Sequence, residues 1–237
     1  MKKKITAIVL AAGSGRRMGG DIPKQYMELS GKPVIYYSLK VFQDSAVDDI
    51  VLVVSDEYIE YCRKEIVERY GFSKVTDIIS GGRERYDSVR NGIEVCESAD
   101  YVLIHDGARP LITGDMVKRS IATLEEETGC SVAVKAKDTI KISDENDYGV
   151  DTPDRRYVWQ VQTPQSFRRR ELVAAYEKLA ASGDTAITDD TMIMERYGGV
   201  KIKLIDGSYA NIKITTPEDL ALAEVLLEHL SLIHISE

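Results

Sequence analysis

A chain of 237 residues with 43% hydrophobic and 30% charged residues has the composition of a globular protein with a substantial core. Its formal net charge of -8 argues against a general nucleic-acid binder, because such binding depends on neutralising phosphates. The three cysteines, Cys62, Cys96 and Cys130, have no paired spacing, which argues against a disulfide framework and a zinc site and favours the cytoplasm. No apolar run is long enough to span a bilayer, which argues against a membrane protein.

The first part of the chain alternates apolar strands with amphipathic helices. Strands are predicted over residues 5–10, 49–54, 77–79, 101–105 and 131–134. Helices are predicted from Pro33 onward and over residues 57–70, 87–95 and 116–127, with Val89, Ile93 and Val95 facing inward in the third. This alternation predicts an α/β fold with a doubly wound, mostly parallel sheet.

The pattern changes at residues 137–157, which are polar and contain turn-forming residues. We predict two extended segments joined by a turn, forming a protruding β-arm that packs on something else, such as a second copy of the chain. Further predicted elements are core residues 158–161, helices over 170–181 and 188–197, edge strands over 201–205 and 211–214, and a helix from Pro217 to about Leu230. Residues 1–230 are expected to form one domain, followed by a tail over 231–237 without a clear pattern.

Small residues at positions 11–15 follow the first strand, and Arg16, Arg17 and Lys24 come after them. Small residues let a ligand approach the backbone, whose N–H groups bind phosphate while cations neutralise the remaining charge. The loop lacks the Gly-Lys-Ser/Thr of a P-loop, and Met18 stands where a dinucleotide fingerprint has its third glycine. The alternatives are therefore a local anion site and a surface turn with solvated arginines.

Ligands of open α/β sheets bind at the carboxyl ends of the strands. Asp106 follows a strongly apolar strand and suits either a divalent cation that bridges phosphates or an ion pair with Arg109. Gly82 and Ser88 either admit a flat base to the backbone or form a strand-to-helix turn. His105 is expected to be packed or hydrogen-bonded, because no nucleophile–base pair lies near it in the sequence.

Isolated polar residues in later loops leave two possibilities open. Thr139, Thr163 and Thr188 are able to donate to phosphate or to cap local structure. Lys213 lies between two isoleucines of a predicted strand, so it faces either the site or solvent. Arg85 is expected to form an internal ion pair.

In chain order, these motifs resemble the sugar-phosphate cytidylyltransferases. The resemblance covers nearly the whole chain to about Leu230, and the stretches that carry it are residues 10–18, 23–26, 82–89, 105–110, 138–141, 162–167 and 211–220. It implies a Rossmann-like nucleotidyltransferase that moves CMP from CTP to a polyol phosphate and uses Mg²⁺. Gly107-Ala108 favours 2-C-methyl-D-erythritol 4-phosphate over ribitol 5-phosphate as acceptor.

The resemblance also implies a role for each matching residue. Residues near the nucleotide would be Ala11, Ala12, Gly13, Ser14 and Gly15 at the triphosphate, Gly82 and Ser88 at cytosine, and Asp106 and Gly107 at the ribose and metal. Residues that stabilise charge at the α-phosphorus would be Arg17, Lys24 and Lys213. Residues that hold the acceptor would be Arg109, Thr139, Thr163, Thr188 and, on the arm of a partner subunit, Arg155, which makes the arm a dimerisation element.

The attacking group in such a reaction is a phosphate oxygen that is already ionised, so no general base is needed. The difficulty is electrostatic, since two unit charges about 4 Å apart repel by roughly 4 kcal/mol at an effective dielectric constant near 20. Three alternatives remain at this point: a ribitol phosphate enzyme, a dinucleotide-dependent oxidoreductase, and a nucleotide-binding protein without catalysis.

Overall fold

The computed structural model describes residues 2–13 and 22–234, and for residues 231–234 the backbone alone. The predictions that concern Ser14, Gly15 and Arg17 lie outside the described residues.

Seven strands of the described chain form one sheet, and four short strands form two small ladders. In chain order the strands are β1 (Ile5–Ala11), β2 (Glu28–Leu29), β3 (Lys32–Pro33), β4 (Asp49–Val54), β5 (Val75–Ser80), β6 (Tyr101–Asp106), β7 (Gly129–Lys135), β8 (Ile142–Ser143), β9 (Gly149–Asp151), β10 (Trp159–Arg168) and β11 (Lys203–Asp206). The long apolar runs become β1, β4 and β6, which are buried on both faces.

The large sheet has the strand order β11-β7-β10-β6-β1-β4-β5. β1 lies parallel between β4 and β6, with Ile8 opposite Val51 and Ile104, and β10 runs antiparallel to both β6 and β7. The chain adds β4 and β5 on one side of β1 and then returns to add β6 on the other. The carboxyl ends of β1 and β6 therefore border the crevice in which such sheets bind ligands.

Helices cover both faces of this sheet. They are α1 (Val34–Asp44), α2 (Ile59–Tyr61), α3 (Arg85–Val95), α4 (Gly114–Glu126), α5 (Arg169–Ser182), α6 (Asp190–Ile193) and α7 (Pro217–His234). Phe42 of α1 packs in one cluster with Val9 of β1, whereas Ile93 of α3 packs with Ile8 on the opposite face. The doubly wound, mostly parallel α/β sheet predicted from the sequence is confirmed.

The helical prediction over residues 57–70 is confirmed, but its winding changes along its length. A 3-10 turn (Asp56–Tyr58) precedes α2, and a π-helical segment (Cys62–Glu68) follows it. Gly71 has φ of +67°, as expected of a glycine after the last turn. Val95 is 43% exposed because α3 ends there and Cys96 packs inward instead, so the prediction that Val95 faces the core is wrong.

Two further predictions for the second half of the chain are wrong. Residues 162–165, predicted as a loop, lie inside β10, which accommodates them through a register shift between Val161 and Gln165. Residues 211–214 do not form a strand; Ile214 N–H donates to Ala108 O at 2.9 Å and holds this irregular segment against the loop after β6.

Other expectations for this half are confirmed. β8 and β9 form the predicted two-stranded arm, and β11 is an edge strand. The predicted helix over 188–197 consists of α6 and a π-helical turn (Met194–Gly198), and α7 continues past Leu230. Within the described ranges, none of the helices has the length and apolar character needed to cross a membrane.

Candidate active site

A cleft of about 230 Å³ opens at the carboxyl ends of β1, β5 and β6. It is lined by Leu10, Ala11, Ala12, Gly13, Lys24, Gln25, Gly82, Arg83, Glu84, Arg85, Ser88, Asp106, Ala108 and Lys213. Sequence motifs that are far apart along the chain thus meet where the topology places a ligand crevice.

Asp106, the last residue of β6, is the charge centre of the cleft. Among the described residues, its carboxylate meets Lys213 Nζ at 2.7 Å, Arg85 Nε at 3.2 Å and Arg109 Nε at 4.0 Å. Burial by itself would raise the pKa of Asp106, but Arg85 and Lys213 outweigh it and hold that pKa well below its usual range. The carboxylate therefore stays ionised and holds basic side chains at the cleft wall.

Arg85 extends this network beneath the cleft. Its Nη1 lies 2.8 Å from Oδ2 of Asp190, whose side chain is fully buried at the start of α6. Tyr176 of α5 donates to the other carboxylate oxygen of Asp190 at 2.6 Å. The expected internal pair of Arg85 is confirmed, and it connects β6 to α5 and α6.

The backbone after β1 is held by Gln25, which is 2% exposed. Its Nε2 donates to Ala11 O at 2.5 Å and to Gly13 O at 3.0 Å. Gln25 belongs to a 3-10 turn (Lys24–Tyr26), so the same turn places Lys24 in the cleft lining. Residues 11–13 and Lys24, the first predicted catalytic lysine, are thus fixed relative to each other.

The wall formed after β5 is backbone rather than side chain. A Cβ at Gly81 would overlap Ala12, and one at Gly82 would overlap Asp87. The Ser88 hydroxyl accepts from Gly82 N–H at 3.0 Å and donates to Glu84 O at 3.3 Å. The turn is therefore tight, and glycine is required at these positions because the chain segments approach closely.

Gly107 connects the ends of the two central strands. Its N–H donates to Leu10 O at 2.8 Å, and a Cβ at this position would lie 3.0 Å from the same oxygen. The residue predicted near the ribose thus keeps the mouth of the crevice narrow.

Thr163 of β10 is only 3% exposed, and its hydroxyl faces inward. Its Oγ1 lies 3.2 Å from Asp106 N and 2.9 Å from His105 Nδ1. The other ring nitrogen of His105 lies 3.1 Å from Arg109 O. The expectation that His105 is packed and hydrogen-bonded is confirmed.

The segment before Lys213 is connected to the same residues. Asn211 Nδ2 donates to Thr163 O at 3.0 Å, and Arg109 Nη1 donates to Asn211 O at 2.8 Å. The sequence left open whether Lys213 faces the cleft or solvent. In the structure its side chain points at Asp106, although residues 211–214 do not form a strand.

None of the five residues predicted to hold the acceptor is in the cleft lining. Arg109 and Thr163 contact Asp106 beside the cleft, whereas the other three are exposed. Thr139 is exposed at the base of the arm, and Thr188 is exposed before α6 with Oγ1 at 3.4 Å from Met192 Sδ. Arg155 is exposed in the turn after the arm, where it donates to Lys137 O at 3.2 Å.

Sequence reasoning missed Gln25, Asp190 and Asn211 as site residues. Gln25 had a signal, namely its position beside Lys24. Asn211 had one as well, because it lies in the stretch 211–220 that carries the resemblance. Asp190 had none, because Arg85, with which it pairs, lies 105 residues away in the chain.

The donor set decides which metal fits the cleft. Among the residues that the structure describes, no cluster of three His, Cys, Asp or Glu side chains is present. Mg²⁺ often takes one or two carboxylates and completes its shell with waters and substrate phosphates. Asp106 beside the cleft fits that arrangement, and an all-protein metal site does not.

The switch point of this doubly wound sheet brings Ala11, Ala12 and Gly13 together with Lys24 and Lys213, as expected of a nucleotidyltransferase. The chain matches the family model for "2-C-methyl-D-erythritol 4-phosphate cytidylyltransferase" over residues 5–229. It belongs to that family of cytidylyltransferases.

Individual relatives agree with this assignment. A protein of that name from Lachnoclostridium phytofermentans is 51% identical over 228 residues, covering 96% of this chain and 98% of the relative. Another of the same name, from Lachnospira eligens, is 51% identical and covers 94% and 99%.

A solved structure is also similar. The crystal structure of 4-diphosphocytidyl-2C-methyl-D-erythritol synthase from Anaerococcus prevotii superposes with a TM-score of 0.84 at 35% identity, covering 95% of this chain and 96% of that one.

Proposed function

We propose that this protein transfers CMP from CTP to the phosphate of 2-C-methyl-D-erythritol 4-phosphate, giving 4-diphosphocytidyl-2-C-methyl-D-erythritol and pyrophosphate. The observation that carries the proposal is the ion pair of Lys213 with Asp106 at 2.7 Å, inside a cleft that Lys24 also lines. The names of the 51% identical relatives favour this acceptor over ribitol 5-phosphate and a transferase over an oxidoreductase. They place the product in isoprenoid precursor synthesis.

The chemistry is an in-line displacement at the α-phosphorus of CTP. An oxygen of the acceptor phosphate forms the new P–O bond, and the bond to the leaving pyrophosphate breaks. The second pKa of a phosphate monoester is about 6, so the nucleophile is ionised at neutral pH and needs no base. What the protein must supply is positive charge held in place before the reaction, which Lys24, Lys213 and Arg17 provide in this proposal.

We assign the nucleotide to the cleft and the acceptor to its exposed side. Residues 11–15 wrap the triphosphate, Gly82 and Ser88 border cytosine, and Asp106 and Gly107 border the ribose. Arg109, Thr139, Thr163 and Thr188 hold the acceptor. Support comes from charge: among the described residues of the network, Arg85, Arg109 and Lys213 outnumber the carboxylates of Asp106 and Asp190, which favours a bound anion.

Mg²⁺ belongs to the proposal as a cation held by the triphosphate and by Asp106. When bound, it would neutralise phosphate charge during the displacement. We expect Asp106→Asn to raise the Mg²⁺ concentration for half-maximal turnover at least tenfold. If turnover falls while the Mg²⁺ dependence stays unchanged, Asp106 serves only to anchor Lys213.

We also propose a homodimer formed through the arm, with Arg155 reaching the site of the partner subunit. In and beside the arm, Tyr148 is 73% exposed, Val150 is 63% exposed and Tyr157 is 78% exposed. A two-stranded hairpin with exposed apolar side chains is marginal unless it packs on another surface. The proposal treats residues 1–230 as one domain in the cytoplasm, in agreement with the buried free thiols of Cys62, Cys96 and Cys130.

The deciding experiment measures pyrophosphate release from the purified protein with Mg²⁺, CTP and each polyol phosphate in turn. Release with 2-C-methyl-D-erythritol 4-phosphate alone is the expected result. Release with ribitol 5-phosphate alone would contradict the acceptor but keep the reaction. Binding of CTP without release for either acceptor would contradict catalysis and favour a nucleotide-binding protein.

A further inference from the structure

We propose that His105 is a positioning residue, which uses both ring nitrogens to fix Thr163 and the loop after β6 on the acceptor side of the site. This inference rests on the proposed function, because the loop matters to catalysis only if an acceptor phosphate is held there. It differs from a packing role because it requires one particular tautomer of the imidazole.

The partners of the two ring nitrogens together determine that tautomer. Asp106 N–H donates to Thr163 Oγ1 at 3.2 Å, so the threonine oxygen is an acceptor there. The hydroxyl hydrogen of Thr163 is then free to donate to His105 Nδ1 at 2.9 Å. Because the hydroxyl oxygen has a second lone pair, the partner of the other ring nitrogen decides the direction of this bond.

The second nitrogen completes the arrangement. Nε2 lies 3.1 Å from Arg109 O, and a carbonyl oxygen only accepts, so Nε2–H donates to it. In a neutral ring this leaves Nδ1 without a hydrogen, so Nδ1 accepts from the Thr163 hydroxyl.

The ring is also held sterically. His105 is fully buried, and its ring meets the ring of Phe42 edge-on, with centroids 5.4 Å apart. Burial and this ring contact restrict rotation of the imidazole, which keeps both ring nitrogens directed at their partners.

What these bonds fix is the part of the site that faces the acceptor. Arg109 N–H donates to Asp106 O at 2.9 Å, and Arg109 O accepts from His105 Nε2. The loop after β6 is therefore held at both the N–H and the carbonyl of Arg109. Arg109 Nη1 and Thr163 O both bond Asn211, two residues before Lys213. Loss of either bond to His105 would loosen Arg109, Thr163 and the Lys213 segment together.

Two substitutions separate the two hydrogen bonds. His105→Asn retains an oxygen near the position of Nδ1 and loses the bond to Arg109 O, whereas His105→Gln retains a donor near Nε2 and loses the acceptor for Thr163. We expect each to lower kcat/KM for the acceptor at least tenfold, while the Kd of CTP measured by calorimetry without acceptor changes less than threefold. Phe42→Leu is the matched control, because it removes ring contact at the same place but no hydrogen bond; its acceptor kcat/KM should stay within threefold.

The bond to Thr163 has its own test. If His105 acts through Thr163, Thr163→Val should cost much less in the His105→Gln background than in the wild-type protein, and equal costs would overturn the proposal. Acceptor kcat/KM within threefold of wild type in both His105 variants would overturn it as well.

A spectroscopic test does not depend on activity. The chain has three histidines, so ¹⁵N chemical shifts of the imidazoles are assignable with the His105→Asn variant. The Nε2–H tautomer in the wild-type protein is the expected result, and the Nδ1–H tautomer overturns the proposal. If the tautomer is as expected but no polyol phosphate supports pyrophosphate release, the proposed function fails and the positioning role on the acceptor fails with it.

Discussion

Lys213 has a half-exposed side chain whose ion pair with Asp106 is accessible to a ligand. The side chain is 37% exposed, whereas that of Asp106 is 11% exposed, so the lysine is the movable member of the pair. An incoming phosphate therefore competes with the Asp106 carboxylate for this cation.

The first prediction concerns that lysine. Lys213→Ala should lower turnover about 10²- to 10³-fold, the usual cost of removing one group that stabilises transition-state charge. The free energy of unfolding should change by only about 1 kcal/mol, because the Lys213 side chain is half-exposed and Asp106 keeps Arg85 and Arg109 as partners. Steady-state kinetics and urea unfolding measure the two effects, with the exposed Lys201→Ala as control; near-normal turnover of Lys213→Ala would contradict the site assignment.

The second prediction concerns Arg85, which pairs with a carboxylate that is fully buried. Arg85→Gln should lower the free energy of unfolding by about 3 kcal/mol, because it leaves Asp190 buried without its cation. The double variant with Asp190→Asn should recover part of that loss. Arg90→Gln is the control, since the Arg90 side chain is 47% exposed and its pair with Asp87 is 3.6 Å long.

Urea unfolding of the four proteins provides the measurement. Equal destabilisation by Arg85→Gln and Arg90→Gln would show that the Arg85 bridge between β6 and α6 contributes no more to the free energy of unfolding than an exposed ion pair.

At the scale of single elements, α7 shows how a local sequence signal is used in the fold. The Thr-Thr-Pro-Glu-Asp sequence predicts a helix start, and α7 does begin at Pro217. Asp219 accepts from Thr215 N at 2.8 Å and from Thr216 N at 2.9 Å, which satisfies backbone donors before the first turn. The start of α7 lies a few residues after Lys213, the lysine that we propose acts in catalysis.

The third prediction follows from the pKa of Asp219. Burial by itself would raise this pKa, but the hydrogen bonds from Thr215 and Thr216 outweigh it and lower the pKa. A lowered pKa in the folded state means that the stabilisation is complete above the unfolded value of about 3.9 and is lost as the pH falls through the folded value. Asp219→Asn should therefore cost about 1–2 kcal/mol at pH 7, and the two proteins should converge only below about pH 4.

Chemical denaturation between pH 7 and pH 3.5 tests this, with the exposed Glu218→Gln as control. Equal free energies of unfolding of Asp219→Asn and the wild-type protein at pH 7 would contradict the capping role.

At the scale of the whole molecule, the arm formed by β8 and β9 is separate from the large sheet. β8 and β9 pair with each other and leave Ile142 and Val150 exposed at 50% and 63%. Burying such side chains stabilises by about 25 cal/mol per Å² of apolar surface, which a second copy of the chain would provide.

The fourth prediction is that Val150→Glu converts a dimer to a monomer and lowers turnover. The lost activity has a physical reason in the proposal, because Arg155 would no longer reach the site of the partner. Sedimentation gives the mass and pyrophosphate release the activity. Val95→Glu is the matched control, since Val95 is 43% exposed on α3 and should change neither; a wild-type monomer with full activity would contradict the dimer.

Local pattern determined most of the architecture. The apolar runs of β1, β4 and β6 and the periodicity of α1 and α4 follow from short stretches of sequence, because a strand covered on both faces and a helix covered on one have different patterns. The position of the cleft followed as well, since the carboxyl ends of parallel strands meet at one edge of the sheet.

Local pattern failed where long-range contacts decide. Residues 162–165 look like a loop but lie in β10, and Lys213 points at Asp106 from a segment that forms no strand. The inward hydroxyl of Thr163 and the bridge from Arg85 to Asp190 depend on partners tens of residues away, so no stretch of sequence contains them.

The sequence by itself thus determined most of the strands and helices, the edge of the sheet at which the cleft lies, and the motifs that resemble a cytidylyltransferase. Only the tertiary structure decided which basic side chains pair with Asp106, in which direction the Thr163 hydroxyl points, and which tautomer His105 adopts. The physical reason is that hydrogen bonds and ion pairs act over a few ångströms, and only folding brings the groups that form them within that distance.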